Sequence, residues 1–244
     1  MTEQVDKEGF ETLTTLATAD NFNKWMFDTI RPFIKGRVLE AGSGIGNISG
    51  LLLNMGNPVC LSDLSQPYGD LLRKKFTGHP HLSDILDMDL ADPLFDEKFA
   101  SRFETFDTII ALNVIEHIKE DGHAVANCKK LLKPGGCLIV LVPAYQLLYN
   151  RFDKELGHYR RYSKKAMQRL ISPHLSIVRC RCFNLAGIAG WFVSGTILRK
   201  RIIPSSQMNI FNALVPLFRT LDKMVFHRLG LSVWSVSMKS GNNQ

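Results

Sequence analysis

Between Val38 and Asp63 the chain carries a short apolar run, a turn with three glycines, and an acid that closes a second apolar run 21 residues after Gly42. Few folds accommodate that order. RVLEAG reads as a buried strand, Glu40-Ala41-Gly42-Ser43-Gly44-Ile45-Gly46 as a sharp turn, the residues through Leu53 as a helix, and PVCLSDLS as a second strand. In an open parallel sheet, a ligand sits at such strand ends, against the turn that leads into the helix. A dinucleotide-binding turn places its third glycine five residues after the first, where this chain has Asn47; here the third glycine, Gly46, comes one residue early. Glycines let the backbone turn tightly and approach a ligand closely, where a Cβ would collide with it. Glu40, at the strand end, attracts an ammonium group and repels a phosphate. Asp63 is placed to accept hydrogen bonds from two ribose hydroxyls. Taken singly, the turn also reads as an ordinary glycine-rich loop, and Asp63 also suits a helix cap.

At 244 residues with 45% hydrophobic content, the chain is expected to form one α/β domain. Residues 1–35 read as an N-terminal helical cap, 36–144 as a cofactor-binding core, 145–184 as a substrate-side segment with a strand, 185–229 as an apolar helical insertion, and 230–244 as the last strand and tail. Within the cap, Phe22, Trp25, Met26, Ile30 and Phe33 recur at helical spacing. After a second helix, YGDLLRKKF, comes a loop holding Asp84, Asp87, Asp89 and Asp92. There Asp89 and Leu90 are expected to meet an adenine ring, with Asp87 as a rival. FDTIIALNV is a near-continuous apolar run, hence a strand buried on both faces. A helix from about Glu120 to Leu132, an LKPGG turn and the strand CLIVLVPA follow. LSIVRCRCF and SVWSVSMK alternate and are expected to pair antiparallel as an edge hairpin. Strands separated by helices imply βαβ units. The expected fold is a Rossmann-like, seven-stranded, mostly parallel sheet with an antiparallel C-terminal hairpin and a helical insertion before the last strand. The insertion reads as two apolar helices separated by Pro204, with Pro216 kinking or splitting the second.

The net charge of +7 is unevenly laid out. Residues 1–123 hold 11 Lys/Arg against 20 Asp/Glu, and residues 124–244 hold 19 against 3. A basic half fits an anionic substrate, an anionic membrane surface or nucleic acid, or simply a solvated face. Five cysteines without C-x-x-C spacing read as buried thiols, and the start of the chain lacks a secretory pattern, so a cytoplasmic protein is expected.

As an ordered set, VLEAGSGIGN, LSDLS, ALNVIEHI and LKPGGCLIVLVPA resemble the motifs of class I S-adenosylmethionine-dependent methyltransferases. The chain is most similar to the ubiquinone/menaquinone-biosynthesis-type (methyltransferase 11/12-like) group, and within it to bacterial small-molecule enzymes with a GHYRRYS segment. The resemblance runs from about Phe22 to Phe183. It implies S-adenosyl-L-methionine as methyl donor, S-adenosyl-L-homocysteine as product, and Glu40, Gly42, Gly44, Asp63, Asp89 and Asn113 as donor contacts. Phe22 and Trp25 would close over the donor, and Ala41, Asn47, Leu64, Leu90 and His117 would complete its surroundings.

Methyl transfer needs an in-line nucleophile with water kept out, and an acceptor hydroxyl also needs a base. His158 is the preferred candidate, with His117 and Tyr162 beside it, although His117 also suits a purely cofactor-side role. Tyr145, His158, Tyr159, Arg160, Arg161 and Trp191 are the expected acceptor contacts, the arginines as clamps on an anionic group. No N/D-P-P-Y/F follows the fourth strand, which disfavours methylation of exocyclic or amide nitrogens. No Pro-Cys marks attack on cytosine. No Asp/Asp/Asn cluster is present, so metal independence is expected. Leu185 to Leu198 is an apolar run of about 14 residues, where a membrane span needs roughly 20. Segment 185–203 therefore reads as a pocket lid, a homodimer contact or a peripheral membrane helix. O-methylation of a small acceptor is the leading expectation; RNA or protein methylation and a silent cofactor-binding subunit are the alternatives.

Overall fold

Seven segments pair into a single sheet: Val38–Ala41 (β1), Val59–Asp63 (β2), Leu82–Asp87 (β3), Phe106–Leu112 (β4), Leu132–Pro143 (β5), Ser176–Phe183 (β6) and Ser232–Met238 (β7). Their order is β3-β2-β1-β4-β5-β7-β6. The computed structural model describes residues 3–202 and 204–241; residues 1–2, 203 and 242–244, the outer ends of the expected cap, of segment 185–203 and of the tail, lie outside the described residues. The first five strands run parallel, whereas β7 pairs antiparallel with both β5 and β6. The expected hairpin therefore exists, but β7 slots inside the sheet and β6 forms the edge.

Period-two alternation sends neighbouring residues to opposite faces. Leu39, Cys60, Ile109 and Leu138 pack on one side, against Val125, Cys128 and Leu131 of Asp121–Leu131 and against Met167 and Ile171 of Lys164–Ile171. Val38, Leu61, Ile110 and Ile139 pack on the other, against Trp25, Met26 and Ile30 of Asp20–Ile30 and Val215 of Ser205–Met224. Both faces being covered is why β1, β2 and most of β4 are buried along their length.

Three expectations need correction. The Asp-rich stretch before Met88 is not all loop: Leu82–Asp87 is the β3 edge strand, half-buried, and its polar residues disguise it. LKPGG lies inside β5 as an irregularity, since β4 pairing jumps from Phe106–Leu132 to Thr108–Cys137. The second insertion helix, Ser205–Met224, continues through Pro216. A proline cannot donate to the carbonyl four residues back. That carbonyl, on Asn212, accepts instead from Asn21 Nδ2 at 3.1 Å, while Asn212 Oδ1 accepts from the Phe22 amide at 3.0 Å. The proline thus frees a group that docks this helix onto the start of Asp20–Ile30.

Candidate active site

A cavity of about 1050 Å³ opens where β1, β2, β4 and β5 end. Its roof is made of Glu3–Ala17 (through Thr12, Leu13 and Leu16), Asp20–Ile30 (through Phe22 and Met26), Gly187–Trp191, and Ser205–Met224 (through Met208 and Phe211). The insertion is therefore part of the wall of this cavity.

At one end lies the glycine turn. Gly42, Gly44 and Gly46 have φ of 72°, 55° and 82°, the left-handed region that favours glycine. The need for glycine comes from the protein itself: a Cβ on Gly42 would lie 2.4 Å from Val114 Cγ2, and one on Gly46 2.6 Å from Phe76. These protein contacts demand glycine in addition to the close ligand approach expected from the sequence. Asp63 holds the turn to β2, with Oδ2 accepting from the Gly44 amide at 2.7 Å and Oδ1 from the Ser65 amide at 2.9 Å. Glu40 is buried, accepts from the Ser49 hydroxyl and lines the cavity; burial first, then the nearby Asp63 charge, raises its pKa to about 7. Ala41, Asn47, Leu64, Asp89, Leu90 and Asn113 also line the cavity. The rival Asp87 is bonded to Arg73 at 3.0 Å, on an exposed ion pair. Trp25 is displaced from its expected place. It is buried 4.4 Å (centroid to centroid) from the Phe183 ring, and its neighbours Phe22, Asn23 and Met26 reach the cavity in its place. Trp25→Ala is accordingly expected to cost about 3 kcal/mol in urea unfolding as a core deletion. A loss below about 1 kcal/mol would return the ring to the cavity wall.

At the other end, the short turn Ile115–His117 after β4 meets the segment that begins at Asn150. Asn150 caps the helix Arg151–Glu155 in a reciprocal box with Asp153. Asp153 is fully buried and receives His158 Nδ1 at 2.8 Å, Arg161 Nε at 2.7 Å and the Asn150 amide at 2.9 Å. Held this way, His158 has its Nε2 4.0 Å from Glu116 Oε1, and its ring lies edge-on to His117 with centroids 4.6 Å apart. The Tyr159 amide donates to the Glu116 carbonyl at 2.8 Å and locks the two segments together. Glu116 is fully buried, and neither carboxylate oxygen has a hydrogen-bond partner among the described residues. Burial raises its pKa to about 8. His117 lies exposed to the cavity, where the surrounding protein atoms and His158 depress its pKa to about 3. A buried carboxyl with a raised pKa, a neutral imidazole and a second, oriented imidazole thus converge on one spot.

Several expected acceptor contacts point elsewhere. The Tyr162 ring is buried in the core with its hydroxyl on Asp121 at 2.7 Å, which removes it from the catalytic candidates. Tyr145 adopts φ 61° and lays its hydroxyl 3.5 Å from Cys182 Sγ, away from the cavity. Arg160 bonds Asp121 and the Lys119 carbonyl on the outside. Arg161 does line the cavity, but with its guanidinium on Asp153 and the Ala144 carbonyl and over the Trp191 ring, it builds the site rather than clamping a ligand. Tyr159 and Trp191 remain on the wall. Glu116 and Asp153 were missed by sequence reasoning. The available signals were the Glu116-His117 pair itself and the scarcity of acids after residue 123, where Asp153 is one of only three.

Residues 39–138 match a family model described as a methyltransferase domain. The chain is 31% identical over 117 residues, 43% of its length, to a highly reducing polyketide synthase of Pyrenophora dematioidea, of which the match covers 4%. It thus spans only a small fraction of the curated relatives it matches. Among solved structures it resembles Haemonchus contortus phosphoethanolamine N-methyltransferase 2 in complex with S-adenosyl-L-methionine, at 16% identity and a TM-score of 0.58, over 90% of this chain and 52% of that one. It also resembles the [4+2]-cyclase SpnF, at 16% identity and a TM-score of 0.59, over 91% and 81%. Likeness at that identity concerns the fold, and the cyclase illustrates that this fold does not by itself name a reaction.

Proposed function

We propose that this chain, through its seven-stranded sheet and the helices roofing the cavity, works as an S-adenosylmethionine-dependent enzyme that methylates an oxygen of a small, partly apolar acceptor of the lipid- or glycan-linked kind. One observation carries this reading: a single cavity has Glu40 and Asp63 around a glycine turn at one end and Glu116, His117 and His158 at the other. Glu40 would hold the donor's ammonium, Asp63 its ribose and the Asp89–Leu90 stretch its adenine, leaving the methyl group to be offered toward the other end of the cavity. The acceptor oxygen attacks the methyl carbon in line, the carbon–sulfur bond breaks with its electron pair going to sulfur, and S-adenosyl-L-homocysteine is left. The oxygen's proton leaves through the polar end. Positioning and exclusion of water supply most of the acceleration. Trp191, Met208 and Phe211 give the acceptor an apolar wall. Attack by a carbon acid is the second reading, favoured by the likeness in fold to the CurJ carbon methyltransferase, at 14% identity and a TM-score of 0.57. Incubation with methyl-labelled donor and extracts fractionated by polarity tests both: label in an ether-stable carbon product would replace the oxygen reading, and label in RNA or protein alone would overturn it.

Glu40 makes donor binding pH-dependent. Its folded pKa of about 7 lies above the unfolded value of 4.5, so the folded chain holds a proton that the unfolded chain has released between those values. The stability it confers is full below about 4.5 and is lost as pH rises through about 7, a swing of about 3 kcal/mol at 1.36 kcal/mol per unit. Binding an ammonium requires the ionised form, and an α-amino group loses its proton near 8. Calorimetric affinity should therefore peak between about pH 7 and 8. Glu40→Gln should raise the melting temperature of the ligand-free protein at pH 8 while weakening binding; a flat affinity profile in the parent would contradict the ammonium assignment.

Among the described residues, no helix is long and apolar enough to cross a membrane. Ile197, Leu198, Ile210 and Leu217 are nevertheless exposed, with the exposed Arg199, Lys200 and Arg201 in the same insertion. This supports peripheral contact with an anionic bilayer, where a lipid-linked acceptor resides. Anionic vesicles should sediment the protein at low salt and neutral vesicles should not; equal recovery with both would remove the membrane from the reading.

A further inference from the structure

Glu116, His117 and His158 each offer one ligand atom, and these atoms lie within 4.8 Å of one another. Glu116 makes this cluster more than a chance meeting of polar groups. A fully buried carboxyl with both oxygens unpartnered among the described residues leaves polar atoms unsatisfied, which a cation or a donor would complete. We propose that these three side chains hold a divalent transition-metal cation, with its open coordination positions facing the cavity.

The supports behind the ligands fit this assignment. Metal-binding histidines usually donate their other ring N–H to a carboxylate or a backbone carbonyl, which fixes the tautomer and aims the ligating nitrogen. His158 Nδ1 is on Asp153 Oδ1 at 2.8 Å, leaving Nε2 turned toward Glu116. Two imidazoles and one carboxylate, with no thiolate in the cluster, suit Zn²⁺, Co²⁺ or Fe²⁺ better than Mg²⁺ or Ca²⁺. Ligand atoms about 2.1 Å from one ion lie about 3.4 Å apart in a tetrahedron, so loading draws the three together by side-chain rotation. The binding stands independently of the methyl-transfer reading; its consequence rests on that reading. An acceptor hydroxyl occupying an open position would be acidified by the cation, giving the polar end a way to release its proton.

The test uses the full chain, stripped with chelator and titrated with Co²⁺. One equivalent is expected, with visible absorption that Zn²⁺ abolishes. Glu116→Gln and His117→Gln should weaken Co²⁺ binding at least 100-fold, and Asp153→Asn about 10- to 100-fold through His158. Circular dichroism verifies that each variant is folded, and the milder Asp153→Asn keeps the question answerable where a ligand variant does not fold. Asp63→Ala should keep the Co²⁺ spectrum while losing S-adenosylmethionine binding. Absence of stoichiometric Co²⁺ uptake by the parent overturns the proposal, as does uptake unchanged in all three variants, and either result leaves donor binding standing. Co²⁺ uptake without donor binding would support the metal site and sink the methyl-transfer reading instead.

Discussion

Asp63→Ala should bind S-adenosylmethionine about 100- to 10,000-fold more weakly than the parent in calorimetry, the largest loss expected of any single change at the donor end. Two hydrogen bonds to a charged acceptor are worth about 1.5–3 kcal/mol each, and every 1.4 kcal/mol is a factor of ten. The change also removes the acceptor of the Gly44 amide, so the turn loses its tie to β2. Gly42→Val should reach the same end by another route, because its Cβ would lie 2.4 Å from Val114 Cγ2 at a left-handed φ of 72°. Affinity within threefold of the parent in Asp63→Ala would show that the ribose lies elsewhere.

Asp153→Ala is expected to cost about 3–5 kcal/mol of stability, because it leaves the almost fully buried Arg161 side chain without its counter-ion. Methyl transfer should fall about 100-fold or more in whatever protein folds, since His158 loses the bond that aims it, and a misplacement of about 1 Å is enough for that loss. Asp153→Asn separates the two effects by keeping the shape. Burial alone would push the Asp153 carboxyl up, yet the His158 bond and the Arg161 charge win and hold it below the ordinary carboxylate range. Its stabilisation is therefore present above the unfolded aspartate pKa and is lost as pH falls through the lower folded value. The acid unfolding of Asp153→Asn should be correspondingly flatter. A variant as stable as the parent at pH 7, with full turnover, would mean that the buried Asp153–Arg161–His158 group contributes neither.

The donor end was legible because its chemistry is local. A strand, a left-handed glycine turn and a strand-end acid are set by short-range sterics, so Glu40, Gly42, Gly44 and Asp63 could be placed before any contact was known. The acceptor end was only half legible. His117 and His158 were chosen as residue types, but Tyr145, Arg160 and Tyr162 were assigned to a pocket they do not face. An irregular segment has no period from which facing can be read. Glu116 and Asp153, 37 residues apart, stayed invisible because nothing local distinguishes a carboxylate buried against a distant histidine from one in solvent. Edge strand β3 was lost for a related reason: half-exposed, it carries the polar residues of a loop.

By itself, then, the order of residues determined the parallel sheet, the glycine turn with its two acids, and the antiparallel pair near the end, because each follows from neighbours within reach of one turn or one strand period. Tertiary structure alone decided which face each loop residue presents, that Trp25 belongs to the core, that Pro216 frees a carbonyl for docking instead of breaking its helix, and that a glutamate and two histidines converge beside the strand ends. Those outcomes depend on the packing of segments far apart in the chain, and such packing leaves no short-range mark on the residues it brings together.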